Sequence, residues 1–136
     1  MSEATYIGVD TNVLIRILVQ DDDKQSKIAK EFLESLSESR KGFISIIAMI
    51  ELTWVLDSRY KHSNEEIIAV IEKFLNAPML EIQFSSLWRK IVSDPNNKDK
   101  DLSDLVIVEL GQQMGCDETV TFDKKASEIT GAKLLA

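Results

Sequence analysis

The spacing of apolar residues along the chain predicts short strands that alternate with helices. Residues 6–9 form an apolar run of strand length, and the apolar positions of residues 13–18 then follow at the wider spacing of a helix. The same two patterns recur, with helical spacing in residues 28–36, 46–56, 67–75, 85–92 and 101–114 and strand character in residues 43–45, 79–84, 119–123 and 133–135. This alternation predicts an α/β fold with a largely parallel sheet and helices on both faces.

Polar segments separate these elements. Residues 37–42 are polar and end in glycine, so they predict a helix stop, and residues 93–100 carry every signal of a loop. The long apolar stretch at residues 46–56 favours a buried helix over a strand, although its isoleucines leave the strand open. Glu51 is the only charge within that stretch.

Four acids stand out because of their positions. Asp10 and Asp123 each end a predicted strand, Asp104 lies in the first turn of a helix, and Glu51 interrupts an apolar one. Simple structural roles are available, since Asp10 can cap a helix, Asp104 can serve the helix dipole and Asp123 can start a turn. Glu51 is harder to explain in this way, because a buried carboxylate without a partner costs several kcal/mol, so it needs a cation or a wet cleft.

The carboxyl ends of parallel strands meet at one edge of a sheet, and ligands bind there in open α/β folds. Asp10 and Asp123 are expected at that edge, and the helices of Glu51 and Asp104 can open onto it. Like charges held close together would repel by roughly 1–4 kcal/mol per pair. With only oxygen ligands on offer, a hard divalent ion, Mg²⁺ or Mn²⁺, would resolve that conflict and could activate water against a phosphoryl group.

The length, net charge and residue counts of the chain restrict the kinds of protein that it can be. The 136 residues predict one domain, residues 1–136, and the net charge of −7 argues against nucleic-acid binding through bulk positive potential. Cys116 and His62 are the only residues of their types, which excludes internal disulfides, thiolate zinc sites and paired-histidine chemistry. No apolar run is long enough to span a membrane and no signal peptide is evident, so we expect a cytoplasmic protein. His62 itself is expected at the solvated surface.

Four blocks of the chain, in order, resemble the motifs of the PIN-domain ribonucleases, and most of all the VapC-type toxins of toxin–antitoxin modules. The blocks are residues 9–15, 50–52, 101–107 and 115–123. The resemblance implies a three-layer α/β/α sandwich with a short, mainly parallel central sheet, and metal-dependent endonucleolytic cleavage of RNA. It places Asp10, Glu51 and Asp104 at the core metal-binding positions and Asp123 at a fourth, less uniform one.

The same resemblance implies accessory residues and partners. Thr11 and Thr121 match hydroxyl positions that assist at the site, and Asp101 matches an accessory acid. The implied partners are the RNA substrate, a second copy of the chain and a cognate antitoxin whose inhibitory tail could place Arg or Lys in the acidic pocket.

Other interpretations remain open at this stage. Basic residues near the acidic motifs could hold the RNA backbone, although scattered solvated charges are favoured; they are Arg16, Lys98, Lys100, Lys124 and Lys125. Trp54 and Trp88 could stack on bases, although core or dimer-interface positions are favoured. Rival functions are a phosphohydrolase or receiver-like domain with Asp10 as the nucleophile, and a catalytically silent interaction module.

Overall fold

A computed structural model describes residues 4–136. The strands are β1 (Thr5–Gly8), β2 (Arg40–Ile44), β3 (Leu80–Ile82), β4 (Thr119–Thr121) and β5 (Ala132–Leu134). The α-helices are α1 (Thr11–Leu18), α2 (Asp23–Glu34), α3 (Ile46–Ser58), α4 (Asn64–Leu75), α5 (Ser85–Ser93) and α6 (Leu102–Gln113). Short 3₁₀ turns at Pro95–Asn97 and Ala126–Glu128 complete the regular structure of this part of the chain.

The first three strands form a parallel sheet in the order β1-β2-β3. In its register Thr5 lies opposite Arg40, and Ile44 lies opposite Ile82. Because each strand is followed by a helix, the carboxyl ends of all three strands lie at the same edge. The predicted three-layer α/β/α sandwich with a short parallel central sheet is confirmed.

One detail of the predicted sheet is wrong. Strands β4 and β5 pair in parallel with each other as a separate two-stranded sheet, and no ladder joins them to β1, β2 or β3 within residues 4–136. Each of these two strands has only three residues, so their pairing supplies few backbone hydrogen bonds. The second sheet instead contacts α6, which connects it to the rest of the domain.

Two strand boundaries also differ from the pattern. β2 begins at Arg40, inside the polar segment predicted to be a helix stop, because its ladder with β1 uses backbone groups and does not depend on apolar side chains. Gly42 suits this crowded strand, since a Cβ there would lie 3.1–3.2 Å from side chains of its neighbours. β3 ends at Ile82, and Phe84 adopts a left-handed φ of 57° at the start of α5.

The core lies between the sheet and the helices. Its largest fully buried side chains are Trp88, Leu14, Ile44, Met49, Leu52, Leu56, Ile71, Leu87 and Ile91. Because these residues come from β2 and from α1, α3, α4 and α5, one continuous core fixes the relative positions of the helices that follow the strands. No helix within the described residues is long and apolar enough to cross a lipid bilayer.

Candidate active site

Asp10 lies between β1 and α1 and caps that helix. Its Oδ1 accepts a hydrogen bond of 2.9 Å from the backbone N–H of Thr11, and its side chain is exposed. Thr11 is buried and donates from Oγ1 to the carbonyl oxygen of Ala48 at 3.5 Å. The capping role proposed as the simple alternative is therefore real, and Thr11 joins the start of α1 to the first turn of α3.

Asp101 and Asp104 are held together at the start of α6. Asp101 is the capping residue of this helix, and its Oδ1 accepts a hydrogen bond of 3.0 Å from the backbone N–H of Asp104. This arrangement follows from the sequence, because an acid three residues ahead of another at a helix start satisfies an otherwise unpaired N–H. The cap directs both carboxylates to the same helix end.

Asp123 follows β4 in a tight turn. Its Oδ1 accepts hydrogen bonds from the backbone N–H groups of Lys125 at 2.8 Å and of Ala126 at 3.2 Å. Thr121 supports the turn, because its Oγ1 accepts a hydrogen bond of 3.0 Å from the backbone N–H of Asp123. Asp123 thus starts a turn, as predicted, and Thr121, which was predicted to assist at the site, lies in the same loop.

The electrostatics of Asp104 show that three of these acids lie near one another. Burial raises the pKa of Asp104, and the negative charges of Asp101 and Asp123 raise it further. Asp123 therefore acts on α6 across the chain, although its strand is not part of the main sheet. Carboxylates gathered in this way are unfavourable as anions unless a cation or a proton accompanies them.

Glu51 occupies a different environment from the one its apolar neighbours suggest. The helix α3 is buried on one face only, and Glu51 lies on the exposed face together with Ile47 and Trp54. Water therefore solvates its carboxylate. Glu51 was expected to need either a cation or a wet cleft, and its exposure to solvent agrees with the second of these.

The donor atoms of these acids suit a divalent metal ion better than the arrangement of their side chains does. Their oxygen-only donor set and the like charges around Asp104 suit a hard cation such as Mg²⁺ or Mn²⁺. Yet among residues 4–136 no three or more His, Cys, Asp or Glu side chains are grouped as metal ligands. Asp10 and Glu51 are exposed, and binding of an ion by Asp10 would have to keep or replace the hydrogen bond that its Oδ1 accepts from Thr11.

The surroundings of the basic and aromatic residues show which of them are engaged within the protein and which are exposed. Arg16 pairs with Asp21 at 2.7 Å, and its Nε donates to Gln25 at 2.6 Å, so it is engaged within the protein. Trp88 is fully buried, which confirms its predicted core position. Trp54 is 66% exposed, so the core alternative is wrong for this residue.

His62 lies close to the candidate site, which the sequence did not predict. It was expected at the solvated surface, but it is half-buried and lines a cavity beside Asp101. Its Nδ1 is buried without a hydrogen-bond partner in the described part of the chain. No local signal predicts this placement, because it depends on Lys61, which adopts a left-handed φ of 58° in a segment that only looked polar.

Comparison with known proteins identifies the class. The PIN domain family model matches residues 7–132, and the chain belongs to this family. The chain is also similar to the VapC ribonuclease of Aquifex aeolicus (strain VF5), with 25% identity over 121 residues that cover 89% of this chain and 90% of that protein. The family predicted from the four sequence blocks is confirmed.

Proposed function

We propose that this protein is a divalent-metal-dependent endoribonuclease that hydrolyses RNA phosphodiester bonds as the toxin of a type II toxin–antitoxin module. Membership of the PIN domain family and similarity to a VapC ribonuclease over nearly the whole chain support a nuclease. The observation that carries the proposal is the placement of Asp101 and Asp104 at one helix start, joined by the cap hydrogen bond of 3.0 Å, with the charge of Asp123 near enough to help raise the pKa of Asp104. Structural carboxylates tend to lie apart or to pair with basic residues, whereas these three are kept together.

The proposal assigns a role to each acid. Asp10, Glu51, Asp104 and Asp123 would hold Mg²⁺ or Mn²⁺, and Asp101 would fix Asp104 through the cap. The ion would lower the pKa of water and neutralise charge on the phosphate. We assign Asp104 to orient the attacking water, because it is partly buried and Asp101 fixes its backbone at the start of α6.

The two threonines act by positioning. Thr11 is buried and donates to a backbone oxygen, so it fixes the start of α1 behind Asp10. Thr121 holds the backbone of Asp123 in its turn. Neither hydroxyl needs to contact RNA for its loss to displace a ligand carboxylate, and small displacements of catalytic groups lower rates strongly.

Cleavage of RNA tests the proposed activity. Purified protein incubated with mixed RNA and Mg²⁺ or Mn²⁺ should produce defined fragments, and Asp10→Asn or a chelator should abolish them. Asp117→Asn is the matched control, because it removes the same charge from an exposed loop outside the site and should retain activity. Fragments that survive both Asp10→Asn and the chelator would belong to a contaminant and would contradict the proposal.

The proposed antitoxin partner has a plausible place beside the acids. A cavity of about 550 Å³ between α1 and α2 begins at Asn12, two residues after Asp10, and its lining includes Ile28 and Phe32. Ile28 is 56% exposed, so a partner segment with apolar side chains could cover it and carry a basic residue to Asp10. An antitoxin that binds the triple amide variant of Asp10, Glu51 and Asp104 with unchanged affinity and salt dependence would refute charge pairing.

A homodimer and a cytoplasmic location complete the proposal. Both are proposals that extend the resemblance of the four sequence blocks to VapC-type toxins. Light scattering coupled to gel filtration measures the oligomeric state directly, and a mass equal to one chain at micromolar concentration would refute the dimer. Family membership favours a nuclease over a phosphohydrolase or a silent interaction module, and a phosphoryl mimic trapped on Asp10 would reverse that preference.

A further inference from the structure

A second cavity adjoins the acids and has no assigned use. It encloses about 340 Å³ between the second half of α3, the start of α4 and the segment that leads into α6. Its lining includes Trp54, Asp57, His62, Asn64, Lys100 and Lys125. Sites for small ligands span roughly 300–1,000 Å³, so this cavity suits a single nucleotide better than a longer stretch of chain.

The cavity borders the candidate active site at Asp101. Asp101, whose charge raises the pKa of Asp104, also lines it. Lys125 lines it as well, and the backbone N–H of Lys125 binds Asp123. Trp54 follows Glu51 by three residues on the exposed face of α3, which places the two side chains about one helical turn, roughly 4.5 Å, apart along the axis.

The walls of the cavity are fixed by hydrogen bonds. Asn64 Nδ2 donates to the carbonyl oxygens of Lys98 at 2.7 Å and of Lys100 at 2.9 Å, which holds the segment before α6 against α4. The capping box of Ser63 and Glu66 fixes the start of α4. The cavity is therefore formed before any ligand enters.

Two side chains that line the cavity, those of Trp54 and His62, have no evident role in the fold. Trp54 is 66% exposed, and the Nδ1 of His62 is buried without a partner in the described residues. The left-handed backbone of Lys61 is costly for a residue with a side chain, and it turns the next residue, His62, towards the cavity. The exposed ring of Trp54 and the strained backbone before His62 do not evidently stabilise the fold.

We propose that this cavity binds one nucleotide of the RNA next to the cleaved phosphate, with its base stacked on Trp54 and read by Asp57, and that it favours bases with an exocyclic amino group over uracil. The inference rests on the proposed ribonuclease function. Asp57 follows Trp54 by three residues on α3, so its carboxylate can meet the edge of a base stacked on the indole. Lys125, which forms no ion pair with the described residues, supplies charge for the adjoining phosphate.

The preference follows from hydrogen-bond chemistry. A carboxylate only accepts hydrogen bonds, so it pairs with the amino groups of adenine, cytosine and guanine. Uracil has no amino group; its single donor there, the imino N3–H, is flanked by two carbonyl oxygens that repel the carboxylate. His62 can complete the contact through Nε2, because an imidazole nitrogen can donate or accept. Asp57→Asn keeps the shape of the side chain but adds a donor, so it should admit uracil.

Binding of short RNAs tests the inference apart from cleavage. In the Asp104→Asn background, octanucleotides of adenylate and of cytidylate should quench the fluorescence of Trp54 and bind about fivefold to a hundredfold more tightly than uridylate. Trp54→Ala should weaken all three by about fivefold to a hundredfold, and Asp57→Asn should remove the preference. Tyr6→Ala, an exposed aromatic on β1, is the matched control and should change neither quantity.

Several outcomes would overturn the inference. The inference fails if the Asp104→Asn protein binds no octanucleotide, or if its tryptophan fluorescence does not change on binding. It also fails if the three RNAs bind with equal affinity both to that protein and to its Asp57→Asn variant. Trp54→Ala that converts a dimer into a monomer and leaves the preference intact would assign Trp54 to a subunit interface instead. The unmodified chain separates the two proposals: cleavage of mixed RNA with no change of site preference in Asp57→Asn overturns this inference alone, whereas no metal-dependent cleavage overturns the proposed function.

Discussion

Replacing Asp104 by Asn is expected to stabilise the metal-free protein and to abolish cleavage. Burial and the charges of Asp101 and Asp123 raise the pKa of Asp104, so the folded protein holds its proton more tightly than the unfolded chain does. Its charged form therefore destabilises the fold, and this loss grows as the pH rises from the ordinary pKa of an Asp through the raised one. Asn keeps the shape of the side chain and carries no charge.

The size of the gain follows from opposing terms. Two like charges about 4 Å apart repel by roughly 1 kcal/mol in water and roughly 4 kcal/mol near a protein surface. Asp104 is partly exposed, so screening keeps each pair near the lower value. The charge also gains about 0.3–1 kcal/mol from the dipole of α6, which Asn forfeits. The repulsion still prevails, and we expect a net gain of about 0.5–1 kcal/mol, or about 2–4 °C in Tm.

Thermal unfolding monitored by circular dichroism at pH 7, in a chelator and at low salt, measures this gain. It should shrink at pH 3, where the carboxylates are protonated, and in 1 M salt, where the Debye length falls to about 3 Å. Mn²⁺ should raise the Tm of the wild type by mass action and should leave Asp104→Asn nearly unchanged. The reasoning fails if Asp104→Asn is less stable than the wild type, or if Asp117→Asn gains as much.

Three further changes test the fold. Trp88→Ala should lower the free energy of unfolding by about 3–5 kcal/mol. Trp88→Phe should lower it by less, because this change also removes a buried N–H that has no partner. Urea titration of the two variants measures the difference. Asn64→Ala should cost about 1–3 kcal/mol by leaving two carbonyl oxygens unpaired, and hydrogen exchange should increase in residues 98–100 before it increases elsewhere. Gly131→Ala should cost about 1–3 kcal/mol, because φ is +100°, a conformation that residues with a side chain rarely adopt; a Tm equal to that of the wild type would contradict this.

Much of the fold follows from local signals. The capping positions of Asp10 and Asp101 and the apolar spacing of the helices are properties of short segments, and the structure reproduces them. The parallel sheet follows as well, since strands joined through helices pair in parallel. These features need no knowledge of distant contacts.

What the sequence could not supply depends on packing between distant segments. The exposure of Trp54 and Glu51 follows from which face of α3 meets the core, and an apolar helix does not reveal this by itself. The inward turn of His62 follows from one left-handed residue. The proximity of Asp123 to Asp104 was anticipated, but for a reason that is wrong, since β4 does not belong to the main sheet.

Because β4 pairs with β5 and not with the main sheet, substitutions can shift the position of Asp123 without disrupting that sheet. No backbone ladder ties this carboxylate to β1, so its distance from the other acids is set by how the side chains of α6 meet β4. At that contact a Cβ on Gly111 would lie 3.1 Å from Thr119 Oγ1. Under the proposed function, substitutions there would shift the turn by fractions of an ångström and adjust the rate of RNA cleavage without replacing any of the acids.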